Sequence, residues 1–350
     1  VVLAAMMGTT VTILVALCVV AGLIVFGKFC LTLFTALLQS YFLKCAEFCK
    51  YGEWAVVTGA TDGIGKAYAK EMAERGLNVL LISRNMSKLQ KVKLEILEAF
   101  PGVKAEVHVC DFSAFDLIAR NALSLALEEL NIAILINNVG IGYKFPQYFS
   151  ELAHEEVINI IELNINSCTW MTRIVLPLME RKSGAQKGLI VNLSSGSSLF
   201  PCPLLSEYSA AKSYVARLSA SLDAELKGKG IRVQAQAPLY VTSKLSKIRN
   251  PSLLVPTPEQ YVRCAVKYIG NVAVTNPWFP HRAQVAVLTS LPSCVSERIL
   301  LSMHTKTRRK ALKKIAQKSK DHPSLQSSVL NPFHQHAETG SLYGSTLTAS

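Results

Sequence analysis

The chain has 350 residues, of which 50% are hydrophobic and 17% are charged. This length suits one large α/β domain with additions, and the hydrophobic content excludes a wholly disordered chain. The 37 lysine and arginine residues exceed the 24 acidic residues, which gives a net charge of +13. Because eight of the basic residues lie between Lys306 and Lys320, the basicity belongs to one segment and not to the folded body.

The N-terminal segment is the most apolar part of the chain. Residues 1–27 carry no charge, and Lys28 is the first basic residue. Since about 20 apolar residues span a bilayer as a helix, we expect a retained transmembrane helix over residues 5–27. A second uncharged run, residues 29–43, contains polar side chains and predicts an interfacial or re-entrant segment. A cleaved signal peptide is the alternative, but it would need a basic leading region.

Two features indicate a reducing, cytosolic environment for the rest of the chain. Lys28, Lys44 and Lys50 follow the apolar run, and the positive-inside bias places such flanks in the cytosol. Nine cysteines are scattered without any CxxC pair, which disfavours both a disulfide framework and a zinc site. We therefore expect no bound metal.

Apolar strand patterns alternate with helical patterns from Tyr51 to about residue 270. Six strands are predicted at residues 53–58, 77–83, 105–110, 132–136, 188–193 and 231–237. Helices are predicted from a glycine-rich turn to residue 75 and over 86–99, 114–130, 154–180 with a break near Pro177, 206–227 and 257–269. This alternation is typical of an α/β protein with a Rossmann-type, doubly wound parallel sheet covered by helices on both faces. Such sheets bind ligands at the carboxyl ends of their strands.

The C-terminal part is predicted to leave the folded domain. Residues 283–303 are apolar but are interrupted by a proline and two charged residues, too broken for a clear membrane span. Residues 304–350 are basic and then rich in small polar residues, a composition typical of a disordered tail. The basic run Lys306–Lys320 has three interpretations: a solvated tail, a patch that binds anionic lipid, or a nucleic-acid patch, which we disfavour because no recognition fold accompanies it.

A glycine-rich turn, Thr58-Gly-Ala-Thr-Asp-Gly-Ile-Gly65, follows the first predicted strand and precedes a helix. Glycines in this context let backbone N–H groups approach a pyrophosphate at the helix N-terminus, although a purely structural turn is the alternative. Arg84 stands 19 residues beyond Gly65, just after the second predicted strand. NAD-binding folds carry an acidic residue there, whereas an arginine favours a 2′-phosphate. Arg84 therefore indicates NADPH, unless it is only a solvated surface side chain.

The spacing of Tyr208 and Lys212 indicates a pair suited to acid/base catalysis. A spacing of four residues puts both side chains on one face of the predicted helix. A nearby ammonium favours the phenolate, so we expect Lys212 to lower the pKa of Tyr208 and to suit it for acid/base work. Ser195 stands at the end of the fifth predicted strand, where a ligand-facing side chain belongs.

Four motifs in this order carry a family resemblance. Together with Asn137-Asn-Val-Gly140 and Asn192-Leu-Ser-Ser-Gly-Ser197, the glycine-rich turn and Tyr208-Ser-Ala-Ala-Lys212 resemble the short-chain dehydrogenase/reductase family over residues 50–270. The resemblance implies that Tyr208 is the proton donor, that Lys212 modulates its pKa and binds ribose, and that Ser195 donates to the substrate carbonyl. Asn164 is similar to the asparagine that supports a proton-relay water, and Asn166 is the competing choice.

The resemblance and the motifs together imply a set of cofactor-binding positions. These are Gly59, Thr61, Asp62, Gly63, Ile64, Gly65, Arg84, Asp111, Asn138, Gly140, Tyr208, Lys212, Pro238 and Thr242. Asp111 resembles the residue that contacts adenine. One position departs from the family pattern: Leu239 follows Pro238 where a glycine is usual, which puts the geometry of that loop in doubt.

Closer similarity narrows the expected substrate. Residues 51–67, 76–85 and 238–249 resemble the membrane-anchored very-long-chain 3-oxoacyl-CoA reductases, a group that includes the type 12 17β-hydroxysteroid dehydrogenases. The resemblance implies NADPH-dependent reduction of a 3-oxoacyl-CoA in fatty-acid elongation at the endoplasmic reticulum membrane. Implied partners are the acyl-CoA, membrane lipid, elongase subunits and a second copy of the chain, but no nucleic acid. An oxo-steroid substrate and a catalytically silent scaffold are the alternatives.

These expectations divide the chain into three parts. Residues 1–49 form a membrane anchor, residues 50–303 form the catalytic domain, and residues 304–350 form the tail.

Overall fold

The computed structural model describes residues 2–43 and 45–321. Helix α1, Val2–Phe42, is continuous, and its residues Thr10–Gln39 have a mean hydropathy of 2.7 and the length to cross a membrane. The helix has no break at residue 28, between the predicted span over 5–27 and the predicted interfacial segment over 29–43, and that division stays a prediction. Thr32 and Thr35 donate to carbonyls one turn earlier, Lys28 O at 2.8 Å and Leu31 O at 2.9 Å, so these hydroxyls do not interrupt the helix.

Seven parallel strands form one sheet in the order β3-β2-β1-β4-β5-β6-β7. They are β1 Trp54–Thr58, β2 Asn78–Ser83, β3 Ala105–Val109, β4 Ile132–Asn137, β5 Gly188–Leu193, β6 Ile231–Gln236 and β7 Val274–Thr275. The doubly wound parallel sheet and six of its strands are thus confirmed. Strand β7 has only two residues, too few for an apolar run to be visible in the sequence.

Helices cover both faces of the sheet. They are α2 Gly63–Glu74, α3 Met86–Ala99, α4 Leu117–Glu128, α5 His154–Ile161, α6 Ser167–Glu180, α7 Ser206–Leu226, α8 Pro258–Ala265, α9 Phe279–Ser290 and α10 Ser293–Asp321. Buried residues of α2, α3 and α8 pack on one face, and those of α4, α6 and α7 pack on the other. The carboxyl ends of the strands stay accessible between these layers.

The long helix before β5 is irregular at a different place from the one predicted. Helix α6 continues through Pro177, because Val175 and Met179 are fully buried against the sheet and packing outweighs the loss of one N–H donor. The irregularity lies earlier, in a π turn at Glu162–Asn166 between α5 and α6.

The last helix extends the domain beyond the predicted boundary at residue 303. Helix α10 runs on to Asp321 and buries a stripe of side chains that includes Leu300 and His304. Arg308 pairs with both carboxylate oxygens of Glu151 at 2.7 Å. The prediction of disorder is therefore wrong for residues 304–321, and residues 322–350 lie outside the described residues.

Candidate active site

The site residues lie where β1 and β4 meet. Strands β2 and β4 lie on either side of β1, so the chain order reverses at this point of the sheet and opens a crevice at the carboxyl ends. The glycine-rich turn follows β1, Asn138 follows β4, Ser195 follows β5 and Pro238 follows β6. Parallel pairing therefore brings together motifs that are up to 180 residues apart.

An amide clamp holds the glycine-rich turn. Asn138 Nδ2 donates to Thr58 O and Gly59 O, both at 3.2 Å. Gly59 has φ +64°, a conformation that suits glycine, and a Cβ there would lie 2.9 Å from Asn138 Nδ2. A Cβ on Gly65 would collide with the same amide and with Gly59 O. The turn keeps the open backbone surface that a pyrophosphate needs.

The other predicted residues of the turn have local partners. Asp62 caps α2 by accepting from Gly63 N at 2.9 Å and pairs with Lys244 at 2.7 Å. Burial alone would raise the pKa of Asp62, but the Lys244 ammonium and the Gly63 N–H hold it below its ordinary value. Thr61 Oγ1 lies 3.4 Å from the Ser83 hydroxyl, and Ile64 packs against the core.

Arg84 and Asp111 stand together at the ends of β2 and β3. Both side chains are exposed. Asp111 accepts from Ser113 N at 3.0 Å, and this bond, helped by the Arg84 charge, holds the pKa of Asp111 below its ordinary value. The guanidinium is thus solvent-facing at the position where a ribose 2′-phosphate would lie.

Tyr208, Ser195 and Lys212 converge. The Ser195 side chain lies close enough to the Tyr208 hydroxyl to act on its pKa, and Lys212 Nζ lies 5.9 Å from the centroid of the Tyr208 ring. Ser195 Oγ accepts from Ser197 N at 3.2 Å and from Ser197 Oγ at 3.0 Å, so its own proton is free for another acceptor. A carbonyl oxygen could therefore receive two hydroxyl donors here.

Burial raises the pKa of Tyr208, while the neighbouring Ser195 side chain acts in the opposite direction. This is the reverse of the lowering expected from Lys212. The physical reason is that the free-energy cost of removing a phenolate from water outweighs the electrostatic stabilisation by an ammonium several ångströms away. A raised pKa keeps Tyr208 protonated near neutral pH, which suits a proton donor.

Lys212 is buried and fixed. Its Nζ donates to Leu193 O at 2.9 Å, and 5% of the residue is exposed. Burial lowers the pKa of Lys212 to about 8, so the group can change its protonation state close to physiological pH.

Asn164 lies in the π turn and is 1% exposed. Its Nδ2 donates to Ile141 O at 3.0 Å and Ile160 O at 2.9 Å, but its buried Oδ1 has no hydrogen-bond partner. A Cβ on Gly140 would lie 2.6 Å from this Oδ1 and 3.0 Å from Lys212 Nζ, so one water could bridge the two atoms. Asn166 instead donates to Glu162 on its own helix, at 2.9 Å, which favours Asn164 over its competitor.

The geometry of the loop after β6 explains why a leucine is accommodated at position 239, where a glycine was expected. Among the described residues, only Leu204 and Lys247 outside the glycines have positive φ, so position 239 does not need a glycine conformation. Pro238 O accepts from Gly196 N at 2.8 Å, and a Cβ on Gly196 would collide with the Leu239 side chain. Leu239 fits because its neighbour is a glycine. Thr242 N donates to Pro256 O at 3.0 Å, which closes the loop.

Sequence reasoning missed three positioning residues. Thr58 Oγ1 accepts from Asn138 N at 3.0 Å. The Tyr143 hydroxyl accepts from Glu207 N at 3.0 Å and so caps the helix that carries Tyr208. His281 Nδ1 accepts from Leu239 N at 3.2 Å. Thr58 could have been found from its place in the motif, but Tyr143 and His281 act through contacts 42 residues or more apart and leave no local pattern.

The geometry fits a dinucleotide with a nicotinamide near Tyr208. The turn at Gly59 and Gly65 has no room for a Cβ, and the orphaned Asn164 oxygen faces the Lys212 ammonium. Among the described residues, no cluster of three metal-ligating side chains occurs.

Comparisons with known proteins agree with this geometry. The sequence profile of the family described as short chain dehydrogenase matches residues 53–253. The chain is 46% identical to the very-long-chain 3-oxoacyl-CoA reductase of Anas platyrhynchos, over 75% of this chain and 83% of that protein. It is 43% identical to the protein of the same name from Homo sapiens, with the same two coverages.

A solved structure shares the fold and part of the sequence. The 3-ketoacyl-(acyl-carrier-protein) reductase from Brucella melitensis, complexed with NADH, superposes with a TM-score of 0.55 at 25% identity. The match covers 64% of this chain and 96% of that one. The chain therefore belongs to the short-chain dehydrogenase family and is an oxidoreductase that uses a nicotinamide cofactor.

Proposed function

We propose that this chain reduces the 3-oxo group of very-long-chain 3-oxoacyl-CoA to a 3-hydroxyl with NADPH, as a step of fatty-acid elongation. The observation that carries the proposal is the convergence of Tyr208 with Ser195 and with Lys212, whose Nζ lies 5.9 Å from the centroid of the Tyr208 ring. It occurs in a chain that is 46% identical to a reductase named for this substrate.

Proton delivery is the work of the chain's own side chains. NADPH, when bound, supplies the hydride that reaches the carbonyl carbon. Ser195 and Tyr208 donate hydrogen bonds to the carbonyl oxygen and stabilise the charge that develops there. Tyr208 then transfers its proton to that oxygen. Lys212 Nζ and Asn164 Oδ1 lie within 3.0 Å of one point, and a water bound between them would reprotonate the phenol.

Arg84 supports NADPH over NADH. Its exposed guanidinium follows β2, and a charge-assisted bond to a 2′-phosphate is stronger than one between neutral groups. Gly59, Gly63 and Gly65 would hold the pyrophosphate, Asp111 the adenine, and Gly140, Pro238 and Thr242 the nicotinamide end. Asp62 and Asn138 act on the cofactor by fixing the turn.

The proposed location is the endoplasmic reticulum membrane, with the catalytic domain in the cytosol. Helix α1 would anchor the chain, and residues 50–321 would form the catalytic domain. A long acyl chain prefers lipid to water, so an anchored enzyme meets its substrate where that substrate accumulates. Elongase subunits and a second copy of the chain are further proposed partners, and nucleic acid is not.

The test is turnover by membranes that contain the full chain. NADPH consumption is measured with 3-oxoacyl-CoA of increasing chain length and with a 17-oxo-steroid, for the wild type and for Tyr208→Phe. We expect turnover to rise with chain length, and the variant to lose about 10²–10⁴-fold while NADPH binding stays unchanged. Faster turnover of the steroid than of every 3-oxoacyl-CoA would contradict the proposed substrate, and full turnover by Tyr208→Phe would contradict the mechanism.

A further inference from the structure

The end of α1 is fastened to the catalytic domain through α9. Arg282 Nη1 donates to Gln39 Oε1 at 2.7 Å, and Ala36 is 1% exposed. Arg282 is held in turn by Thr275 Oγ1 at 2.9 Å and by Asn276 O at 3.2 Å. A helix that leaves the bilayer at this point fixes which side of the domain faces the lipid.

The first turn of α9 also holds a tight turn of the loop that follows Thr242. Ser252 and Val255 exchange backbone hydrogen bonds at 2.8 and 3.0 Å, which leaves Leu253 and Leu254 at the tip. Trp278 Nε1 donates to Leu253 O at 2.9 Å, and His281 Nε2 bonds to Leu254 O at 3.0 Å. Both carbonyls are thus tied to α9, and the Leu253–Leu254 turn is rigid.

The side chains at this tip are exposed and apolar. Leu253 is 75% exposed and Leu254 is 51% exposed. Turn tips in water carry glycine, proline or short polar residues, so two adjacent leucines on a braced tip are unusual for an aqueous surface. Trp278, which braces the tip, and Arg282, which holds α1, are one helical turn apart, since Arg282 N donates to Trp278 O at 3.1 Å. The Leu253–Leu254 turn therefore lies on the side of the domain from which α1 emerges.

The same loop reaches the catalytic tyrosine. A Cβ built on Gly142 would lie 3.8 Å from Leu245 Cδ1 and 3.7 Å from Tyr208 Cε2. The Leu245 side chain and the Tyr208 ring therefore lie near each other. Leu245 is 55% exposed and Tyr240 is 50% exposed. The loop thus carries exposed apolar side chains near the phenol and again at the Leu253–Leu254 turn, with the exposed charged residues Lys247 and Arg249 between them.

We propose that the Leu253–Leu254 turn dips into the bilayer and that the loop of residues 240–254, apolar at Leu245 beside Tyr208 and at the turn, leads an acyl chain from the lipid to Tyr208. The occupant of this surface is the lipid bilayer that α1 crosses, since the turn is braced by the helix that holds α1. The acyl part rests on the proposed activity, whereas the insertion of the turn rests only on the proposed anchoring of the chain by α1. Immersed leucines leave water, which is favourable, and the acyl chain need not cross water on its way to the site.

Lipid contact is tested by tryptophan quenching. The full chain is reconstituted into phosphatidylcholine vesicles with brominated acyl chains, as the wild type, as Leu253→Trp and as Leu94→Trp. Leu94 is a matched control because it is 64% exposed and lies on α3, which packs at the β3 edge. That edge is roughly 29 Å from β7 and α9, at about 4.8 Å per strand. We expect added quenching for Leu253→Trp above the wild-type background and none for Leu94→Trp; equal quenching of the two would overturn the proposal.

Chain-length dependence tests the path. Leu253→Asp is compared with Leu94→Asp on a short and on a very long 3-oxoacyl-CoA. We expect Leu253→Asp to raise the KM of the long substrate about tenfold, with kcat and the KM of the short substrate unchanged, because only the long chain must leave the lipid. A rise that is equal for both substrates would overturn the proposed path. Absence of turnover by the wild type on either substrate would instead refute the proposed function, and the quenching result would stand apart from it.

Discussion

The glycine-rich turn and the loop after β6 both follow the carboxyl ends of strands of the sheet, but they are held in different ways. The turn, residues 58–65, is fixed mainly by its own glycine conformations, by the Asp62 cap of α2 and by the side chain of Asn138. The loop, residues 238–256, is fixed from several distant elements: His281 bonds to Leu239 and Leu254, and Lys244 pairs with Asp62. The cofactor side of the site is therefore built from local motif geometry, whereas the substrate side depends on tertiary contacts.

Lys212 lies between the cofactor side and the substrate side of the site. We expect its substitution to have the largest effect on the rate of reduction. Lys212→Met removes the charge and the bond to Leu193 O, and reduction should fall about 10²–10⁴-fold. Since burial lowers the pKa of Lys212 to about 8, the ammonium is present below that pH and is lost above it. The wild-type rate of reduction should therefore fall as the pH rises through about 8.

A charge-retaining variant serves as the control for that pH profile. Lys212→Arg should be slower than the wild type but flat across this range, because a guanidinium keeps its proton. A wild-type profile that rises above pH 8 would show that another group controls the rate.

Arg84 tests the cofactor side alone. Arg84→Ala should reduce the preference for NADPH over NADH about 10–100-fold, because a charge-assisted hydrogen bond is worth about 1.5–3 kcal/mol. The ratio of kcat/KM for the two cofactors measures the effect, and the KM of the acyl-CoA should not move. Lys91→Ala, an exposed residue of α3, is the matched control and should leave the ratio unchanged.

Gly196 and Leu239 test the substrate side. Gly196→Ala places a methyl group against the Leu239 side chain and should lower the free energy of unfolding by about 1–3 kcal/mol, as overpacking does. Leu239→Gly combined with it should recover most of that loss, which a double-mutant cycle detects. Gly228→Ala, where a Cβ meets no atom within 4 Å, should be neutral. A full loss that persists in the double variant would exclude this contact as the cause.

His281 gives the smallest expected effect. Burial lowers the pKa of His281 from its ordinary value of 6.5, so the neutral ring is bound in the folded state. The unfolded chain takes up the proton first, and the stabilising contribution of His281 is present above pH 6.5 and lost as the pH falls. His281→Gln should show a shallower loss of thermal stability on acidification than His154→Gln, in which an exposed histidine is changed. Equal slopes would mean that His281 is not the group that titrates.

The features that could be predicted from the sequence are those set by local patterns, and the features that could not are those set by distant contacts. The strands with continuous apolar runs, the glycine-rich turn and the Tyr208–Lys212 spacing are local patterns, and the structure has them where they were predicted. The brace from His281, the cap from Tyr143 and the continuation of α10 past residue 303 depend on segments far apart in the chain. The direction of the Tyr208 pKa was mispredicted because spacing reveals a neighbouring charge but not the degree of burial.

The π turn at Glu162–Asn166 has an evolutionary consequence. A π turn holds one residue more than an α-helical turn, so a single inserted codon is enough to create it, and the flanking helices can keep their packing. Removing that residue would rotate Asn164 by about 100° and carry its carbonyl oxygen away from Lys212. The proposed proton-relay position can thus arise, or disappear, by a change in chain length instead of a change in side chain, and point substitutions alone would not reverse that change.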